Sequence, residues 1–404
     1  MIDYTEAQGI IGNTFTQLNL SAEKVPLLSS VNRILAEDIV ADTNLPPFTA
    51  SSVDGYAIRF TPGQNQWTVI GEITAGHFRE LGLDERSAIR IMTGGKIVSH
   101  ADAVIAMEDV RWEDGQITLK PGTVLKKGLN LRHQGEDLLK GTVALQQYTR
   151  IRSHSVALLA ACGKDHPLVF RRLRMGVLGT GDELIAISSM PREDKIRATN
   201  FYSLSAAAQD TQLEAVNMGV AKDTPTALRQ KISKALQEEN LDILLTTGGV
   251  SVGKQDYVQS VLKELGVTIL FWRVNIRPGK PLLFGIYRHQ QKIIPIFGLP
   301  GNPVSAYVGF ILFIKPQIEK LFHQEEVQPV SAVLQESIRK TDPKRHFLRG
   351  RMSYHSSENK FVVCSVGRQS SGDMATLSQA NCLICIGEDR NLVEKGQAVE
   401  CIPI

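Results

Sequence analysis

The chain has 404 residues, 43% apolar and 22% charged, with 45 Lys and Arg against 42 Asp and Glu for a formal charge of +3. That is the profile of a soluble globular protein of two to four domains. So small a net charge argues against a dedicated nucleic-acid binder, which carries a strong basic face. No run of eighteen apolar residues occurs, so no membrane span is expected. The start, MIDYTEAQGI, lacks the basic and apolar regions of a signal peptide, which leads to an expectation of the cytoplasm. Five cysteines make no disulfide framework. Cys382 and Cys385 are three apart in an apolar run, so they fall on opposite faces of a strand as filler rather than on a zinc ion.

In chain order, a helix is predicted from Thr5, as its cap, to about Leu18, followed by an amphipathic stretch over Leu27–Ala36 and an extended segment over Asp38–Thr43. From 51 to 139 short strands alternate with turns: 67–73, 88–93, 102–107, 116–119 and 123–128, which describes a small β domain. Helix returns at 153–163. The section 171–325 alternates strand and helix. Its strands are expected at 174–180, 214–223, 242–248, 267–274 and the two runs LLFGIY and IIPIFG. Its helices are expected at 201–213, 224–240, 257–265 and 303–322. That alternation means a mostly parallel sheet covered on both faces. Five short β runs fill 326–404. The division is thus 1–50 with 140–170, an inserted domain 51–139, an α/β domain 171–325, and a C-terminal β domain 326–404.

Ligands of doubly wound sheets sit beyond the carboxyl ends of the strands. Four glycine- and proline-rich loops fall there: GTGDEL (179–184), TTGGVSVGKQD (246–256), RPGKP (277–281) and GLPGNP (298–303). Glycine lets backbone approach a ligand and aim several N–H groups at it. The last loop runs directly into a helix N-terminus, which favours an anion. It is not a Walker loop, since no G-x-x-x-x-G-K-[ST] occurs. Turning a corner accounts for any one of these loops. It accounts poorly for four at one edge.

Four carboxylates share that edge: Asp182, Glu183, Asp223 and Asp256. Acids beside a phosphate cradle suit Mg²⁺, which takes carboxylate and phosphate oxygens. Each alone reads equally as a cap or a solvated charge. Arg273, Arg277 and Lys280 form a cationic cluster suited to a second oxyanion, the plain alternative being a solvated surface.

Outside the α/β section stand SSVDGYA (51–57), RIMTGG (90–95), ADAVIAMED and NLRHQGED (130–137). Together with GTGDEL, TGGVSVGKQDY, RPGKP and GLPGNPVSA, and in this order over essentially the whole chain, these motifs resemble the MoeA family of molybdopterin molybdenumtransferases, to which the E domain of gephyrin is related. The resemblance implies an N-terminal helical and β part with an inserted β domain, a molybdopterin-binding α/β domain and a C-terminal small β barrel. It implies an elongated homodimer with its cleft between subunits. The implied substrates are molybdate and adenylylated molybdopterin, with molybdenum placed on the dithiolene sulfurs, Mg²⁺ assisting and AMP released. Transient contact with other proteins of the same biosynthesis is implied; no nucleic-acid or membrane partner is expected.

Carried over by matched motif, Asp54, Asp137, Glu183, Asp223 and Asp256 are implied as catalytic, the last three at the metal. Thr93, Arg132, Gly248, Gly249, Ser251, Arg273, Arg277, Lys280, Pro300, Pro303, Arg349 and Ser371 are implied as substrate-binding. Asp54 and Asp137 would reach the cleft from a partner subunit. The chain departs from the family pattern in having Arg at 273 and 277 where Lys is common, Thr247 for Ser and Gly95 for Ala; Arg grips an oxyanion as a fork and Lys as a point charge. Two other readings stay open: an adenylyltransferase acting on molybdopterin, and a non-catalytic scaffold that binds it.

Overall fold

The computed structural model describes residues 1–249, 257–290, 292–325 and 328–404. They form two compact units. One comprises Met1–Glu23, Asn32–Ile34 and Phe170–Ile404; the other comprises Lys24–Val31 and Leu35–Val169. Among the described residues no helix is long and apolar enough to cross a membrane.

The chain opens with α1 (Tyr4–Phe15), which buries Ala7, Ile11 and Phe15. Its cap is Asp3, not Thr5: Asp3 has extended backbone angles and its carboxylate accepts from the Glu6 N–H at 2.7 Å, whereas Thr5 already lies inside the first turn. The amphipathic stretch expected over Leu27–Ala36 is only a 3₁₀ turn, Leu27–Ser30. Asn32 follows at φ 65°, a left-handed conformation no helix continues through.

In the unit of Lys24–Val31 and Leu35–Val169, six strands form one sheet: β1 (Gly55–Ile58), β2 (Gln66–Ile73), β3 (Ser87–Ile91), β4 (Ala103–Ala106), β5 (Val110–Glu113) and β6 (Gln116–Leu119). Their spatial order is β4–β1–β3–β2–β6–β5, antiparallel except for β2 beside β3. The two-residue alternation feeds two apolar clusters, Tyr56, Ile58, Trp67 and Ile105 in one and Ala57, Ile73, Ile89 and Val104 in the other. A Cβ at Gly55 would lie 2.0 Å from the Ile105 carbonyl oxygen, so this close strand pairing requires glycine. The strand expected over 123–128 does not form: 123–126 is irregular and a turn begins at 127, with Gly122 and Gly128 at φ 87° and 81° on either side. Beyond them α2 (Ser153–Ala161) packs Leu159 with Leu35, Ile39, Ile151 and Val169.

In the other unit, the α/β section carries β7 (Leu173–Thr180), α3 (Asn200–Gln209), β8 (Leu213–Ala221), α4 (Pro225–Gln237), β9 (Ile243–Thr247), α5 (Val258–Glu264), β10 (Thr268–Trp272), β11 (Leu283–His289), β12 (Lys292–Leu299) and α6 (Pro303–Gly309). Thr224 caps α4 by accepting from the Ala227 N–H, and Pro225 opens the helix. The strand order is β8–β7–β9–β12–β11–β10. The first four run parallel, and β11 is antiparallel to both β12 and β10. The carboxyl ends of β7, β8, β9, β10 and β12 therefore share one edge. The single helix expected over 303–322 is interrupted by a π turn, Phe310–Ile314, before α7 (Lys315–Leu321). Pro316 causes the break, since it has no N–H to offer the Leu312 carbonyl. The Gln8 Nε2 of α1 donates to that carbonyl instead, at 3.2 Å.

The C-terminal strands are β13 (Val330–Leu334), β14 (Arg345–His355), β15 (Lys360–Ser365), β16 (Cys382–Ile386) and β17 (Ala398–Pro403). They pair in the circuit β14–β15–β13–β17–β16 and back to β14, a closed small barrel. Cys382 lies in its core with Ile384 and Cys401, while Cys385 is on the other face, where burial pushes its thiol up to about 12. A helix that the sequence reading does not include, α8 (Met374–Gln379), is capped by Asp373.

Candidate active site

The glycine loops at the sheet edge pack backbone against backbone. Gly248 and Gly249 have φ of 96° and 64°, and a Cβ on Gly248 would stand 2.6 Å from the Thr180 carbonyl oxygen. The Gly248 N–H donates to the Leu299 carbonyl at 3.0 Å, and a Cβ on Gly301 would touch the Gly248 Cα at 3.5 Å. The loops after β7, β9 and β12 thus meet without side chains between them. Above them opens a cleft of about 650 Å³. Glu183, Asp223, Gly248, Gly249, Pro300 and Pro303 line it, all anticipated from the sequence. Its far wall comes from residues the sequence reading leaves out, among them Ile187, Arg197, Asn200, Phe201 and Tyr202. Asn200 ties that wall to the floor by donating to the Gly301 carbonyl at 2.9 Å.

Ser251 and Asp256 lie outside the described residues. Among the described residues no three His, Cys, Asp or Glu side chains gather as a metal cluster. Glu183 and Asp223 nevertheless offer hard oxygen donors to a single cleft. That donor set fits Mg²⁺, which keeps several waters and takes one or two carboxylates together with substrate phosphates.

A second cleft, about 700 Å³, shares Pro281, Pro300 and Asn302 with the first. Arg277, Lys280, Lys344, Asp342, Gln369 and Ser371 line it. Arg277 and Lys280 are where the sequence places them. Arg273 lines neither cleft: its backbone is left-handed at φ 76°, and its guanidinium lies 4.0 Å from the centroid of the Trp272 ring. Lys344 supplies the third cation in its stead. It went unrecognised because it sits in the polar turn TDPK, whose composition signals only a loop.

Ser371 faces this cleft and its Oγ accepts from Asn302 Nδ2 at 3.0 Å, joining the barrel section to the α6 loop. Arg349 does not line it. The residue is 1% exposed; its Nε donates to Thr376 Oγ1 at 3.0 Å and its Nη2 to the Arg368 carbonyl at 2.6 Å. Burial lowers the guanidinium's affinity for its proton. Arg349 braces the segment that carries Gln369 and Ser371.

In the other unit the structure brings four anticipated residues around the short strand Ala50–Ser51. The Asp54 carboxylate accepts from the Thr93 N–H at 2.7 Å and from its hydroxyl at 2.8 Å, which holds its pKa below the usual range. The Gly94 N–H donates to the Ser51 carbonyl. On the opposite side Arg132 pairs in register with Ala50 and forms an ion pair with Asp137. The departure at Gly95 has a local reason, because a Cβ there would lie 2.8 Å from the Met92 carbonyl oxygen. Nothing in the structure explains Thr247 in place of Ser.

A fold of this kind, with a glycine-floored cleft adjoining a cationic one at a parallel sheet edge, defines a protein that handles a small anionic ligand. Family models identify the particular kind: the MoeA N-terminal region (domain I and II) matches residues 2–163, the probable molybdopterin binding domain 176–320, and the MoeA C-terminal region (domain IV) 331–404. The molybdopterin molybdenumtransferase of Haemophilus influenzae is 35% identical over 387 residues, 94% of this chain and 93% of that protein. That of Bacillus subtilis is 33% identical over 393 residues, 95% and 90%. A solved structure of the molybdopterin biosynthesis MoeA protein of Pyrococcus horikoshii aligns with TM-score 0.83 at 27% identity, covering 100% of this chain and 99% of that one. The chain belongs to the MoeA family, and it is an enzyme of molybdenum cofactor biosynthesis.

Proposed function

We propose that the protein inserts molybdenum from molybdate into adenylylated molybdopterin and releases AMP. One observation carries this reading: an acidic, glycine-floored cleft and a cationic cleft share Pro281, Pro300 and Asn302. The first suits a phosphate-bearing pterin nucleotide, since its glycine floor lets a ligand come close to the backbone. The second suits a dianion such as molybdate or the near-identical tungstate. The shared wall sets the two reactants side by side, which is the chief requirement of a transfer reaction.

Glu183 and Asp223, with Asp256, hold Mg²⁺ in this reading; bound there, the ion would neutralise charge on the pyrophosphate link. Gly248, Gly249 and Ser251 approach the phosphates, Pro300 and Pro303 shape the wall, and Arg277 and Lys280 bind the oxyanion with Ser371 beside them. The protein acts as a homodimer, with Asp54, Thr93, Arg132 and Asp137 of one copy serving the cleft of the other.

The test supplies adenylylated molybdopterin, Mg²⁺ and molybdate and follows AMP. Release that depends on molybdate is expected. Formation of adenylylated molybdopterin from ATP and molybdopterin would instead mark an adenylyltransferase, and tight pterin binding without turnover a scaffold. Glu183→Ala and Asp223→Ala are each expected to lower kcat at least about 100-fold, the scale of a lost transition-state contact, with an unchanged circular-dichroism spectrum.

A further inference from the structure

The second cleft contains one carboxylate among its cations, and its role is not that of a stray charge. Asp342 Oδ2 accepts from Arg277 Nη1 at 3.0 Å and from Lys344 Nζ at 3.0 Å. Those two cationic nitrogens therefore lie no more than twice 3.0 Å apart, a spacing one tetrahedral oxyanion can bridge. Asp342 Oδ1 is occupied by the Lys344 N–H at 3.1 Å and by His346 Nε2 at 3.0 Å. The carboxylate is 20% exposed, whereas Arg277 is 53% exposed toward solvent.

The backbone reinforces this arrangement. The two-residue strand Ile276–Arg277 adds to β14 in parallel, Arg277 opposite His346. The turn bearing Asp342 is anchored by the buried Lys340, whose ammonium donates to the Lys344 carbonyl at 2.8 Å. Arg277 uses one guanidinium nitrogen on Asp342 and keeps its other donors. Lys280 makes no ion pair among the described residues. Arg277, Lys280 and Lys344 against Asp342 leave a formal excess of two positive charges, which matches a dianion.

We propose that Asp342 is a positioning residue, holding Arg277 and Lys344 in the geometry that grips the oxyanion, and that Lys344 is a third oxyanion-binding cation. The inference rests on the oxyanion reading of this cleft. Its sign separates it from simple electrostatics. Were Asp342 merely a competing negative charge, its removal would tighten anion binding; as a clamp, its removal weakens it.

The experiment titrates molybdate alone into the full-length protein by calorimetry. Asp342→Ala is expected to raise Kd about tenfold, the worth of one charge-assisted hydrogen bond. Asp342→Glu, which keeps the carboxylate, is expected to recover most of that loss. Lys344→Met is expected to weaken molybdate about tenfold as well, while both variants keep the wild-type affinity for adenylylated molybdopterin. Unchanged or tighter molybdate binding in Asp342→Ala overturns the proposal. Should that variant fail to fold, Lys344→Met decides alone: a wild-type Kd there overturns it. If the wild-type chain binds no molybdate, the oxyanion reading of the cleft fails first, and the role of Asp342 falls with it.

Discussion

Two residues near the cationic cleft contribute to the pH dependence of the fold. Burial alone would raise the Asp342 carboxyl, but the hydrogen bonds from His346, Lys344 and Arg277 outweigh it and hold that carboxyl far below its ordinary range. Burial also pushes the His346 imidazole down, helped by Lys340 and Arg277, against the pull of Asp342. Both pKa values are depressed in the folded state. Their contribution is therefore complete above the unfolded values, about 6.5 for His and 3.9 for Asp, and is lost as pH falls. The thermal midpoint is expected to begin declining below about pH 6.5, and His346→Asn to flatten that first part of the curve. A midpoint independent of pH between neutrality and pH 5 would contradict this. Gly248→Ala tests the cradle at the same scale. It forces a left-handed side-chain residue against Thr180, so it should cost roughly 1–3 kcal/mol in a urea titration and depress turnover further by moving the loop.

The break in the helix after α6 shows how one element depends on another. Pro316 leaves the Leu312 carbonyl without its helical donor, and Gln8 fills the place from α1. The same Gln8 Nε2 donates to the Tyr4 hydroxyl at 2.6 Å. Tyr4 lies against Phe313 and Phe347, with ring centroids 5.5 Å and 5.2 Å away, under the Arg345 guanidinium. The first helix is thus fastened both to the α/β section and to the barrel strand β14. Gln8→Ala should lower stability by about 1–3 kcal/mol, the cost of an unsatisfied carbonyl together with a lost side-chain bond, read as a shift in denaturant midpoint. Gln8→Glu should not restore it, since a carboxylate has no hydrogen to donate.

At the scale of the whole molecule, the α/β order, the inserted sheet and the final barrel were legible because each has a strong period: alternation in β1–β6, strand–helix alternation from β7 to α6. What escaped has physical reasons. Asp3 precedes the first helical residue and is a better acceptor than Thr5. The stretch 123–128 has strand-forming residues, yet glycines at both ends turn the chain. In the site, glycine and proline signatures disclosed the first cleft. The second is completed by side chains more than sixty residues apart, Arg277 and Asp342, whose meeting depends on a strand pairing that no local pattern encodes. Arg273, close to Arg277 in sequence, lies instead against the Trp272 ring. The proposed exchange of residues between copies makes its own prediction. Neither Asp54→Ala nor Glu183→Ala homodimers should turn over, but mixed dimers should recover up to one working cleft, measured as AMP release after co-expression. Mixed dimers as inactive as their parents would refute that sharing.

The shared wall of the two clefts also has a consequence for cells that carry damaged versions of the protein. In the proposed reading, a lesion on the barrel side of the cationic cleft, at Lys344, would weaken the hold on the oxyanion, since Lys344 lines that cleft and not the glycine-floored one. By mass action such a defect yields to concentration, so growth dependent on the molybdenum cofactor should return when the medium is enriched in molybdate. In the same reading, lesions in the glycine floor, at Gly248 or Gly249, would displace the pterin nucleotide itself, and no amount of added salt should repair them.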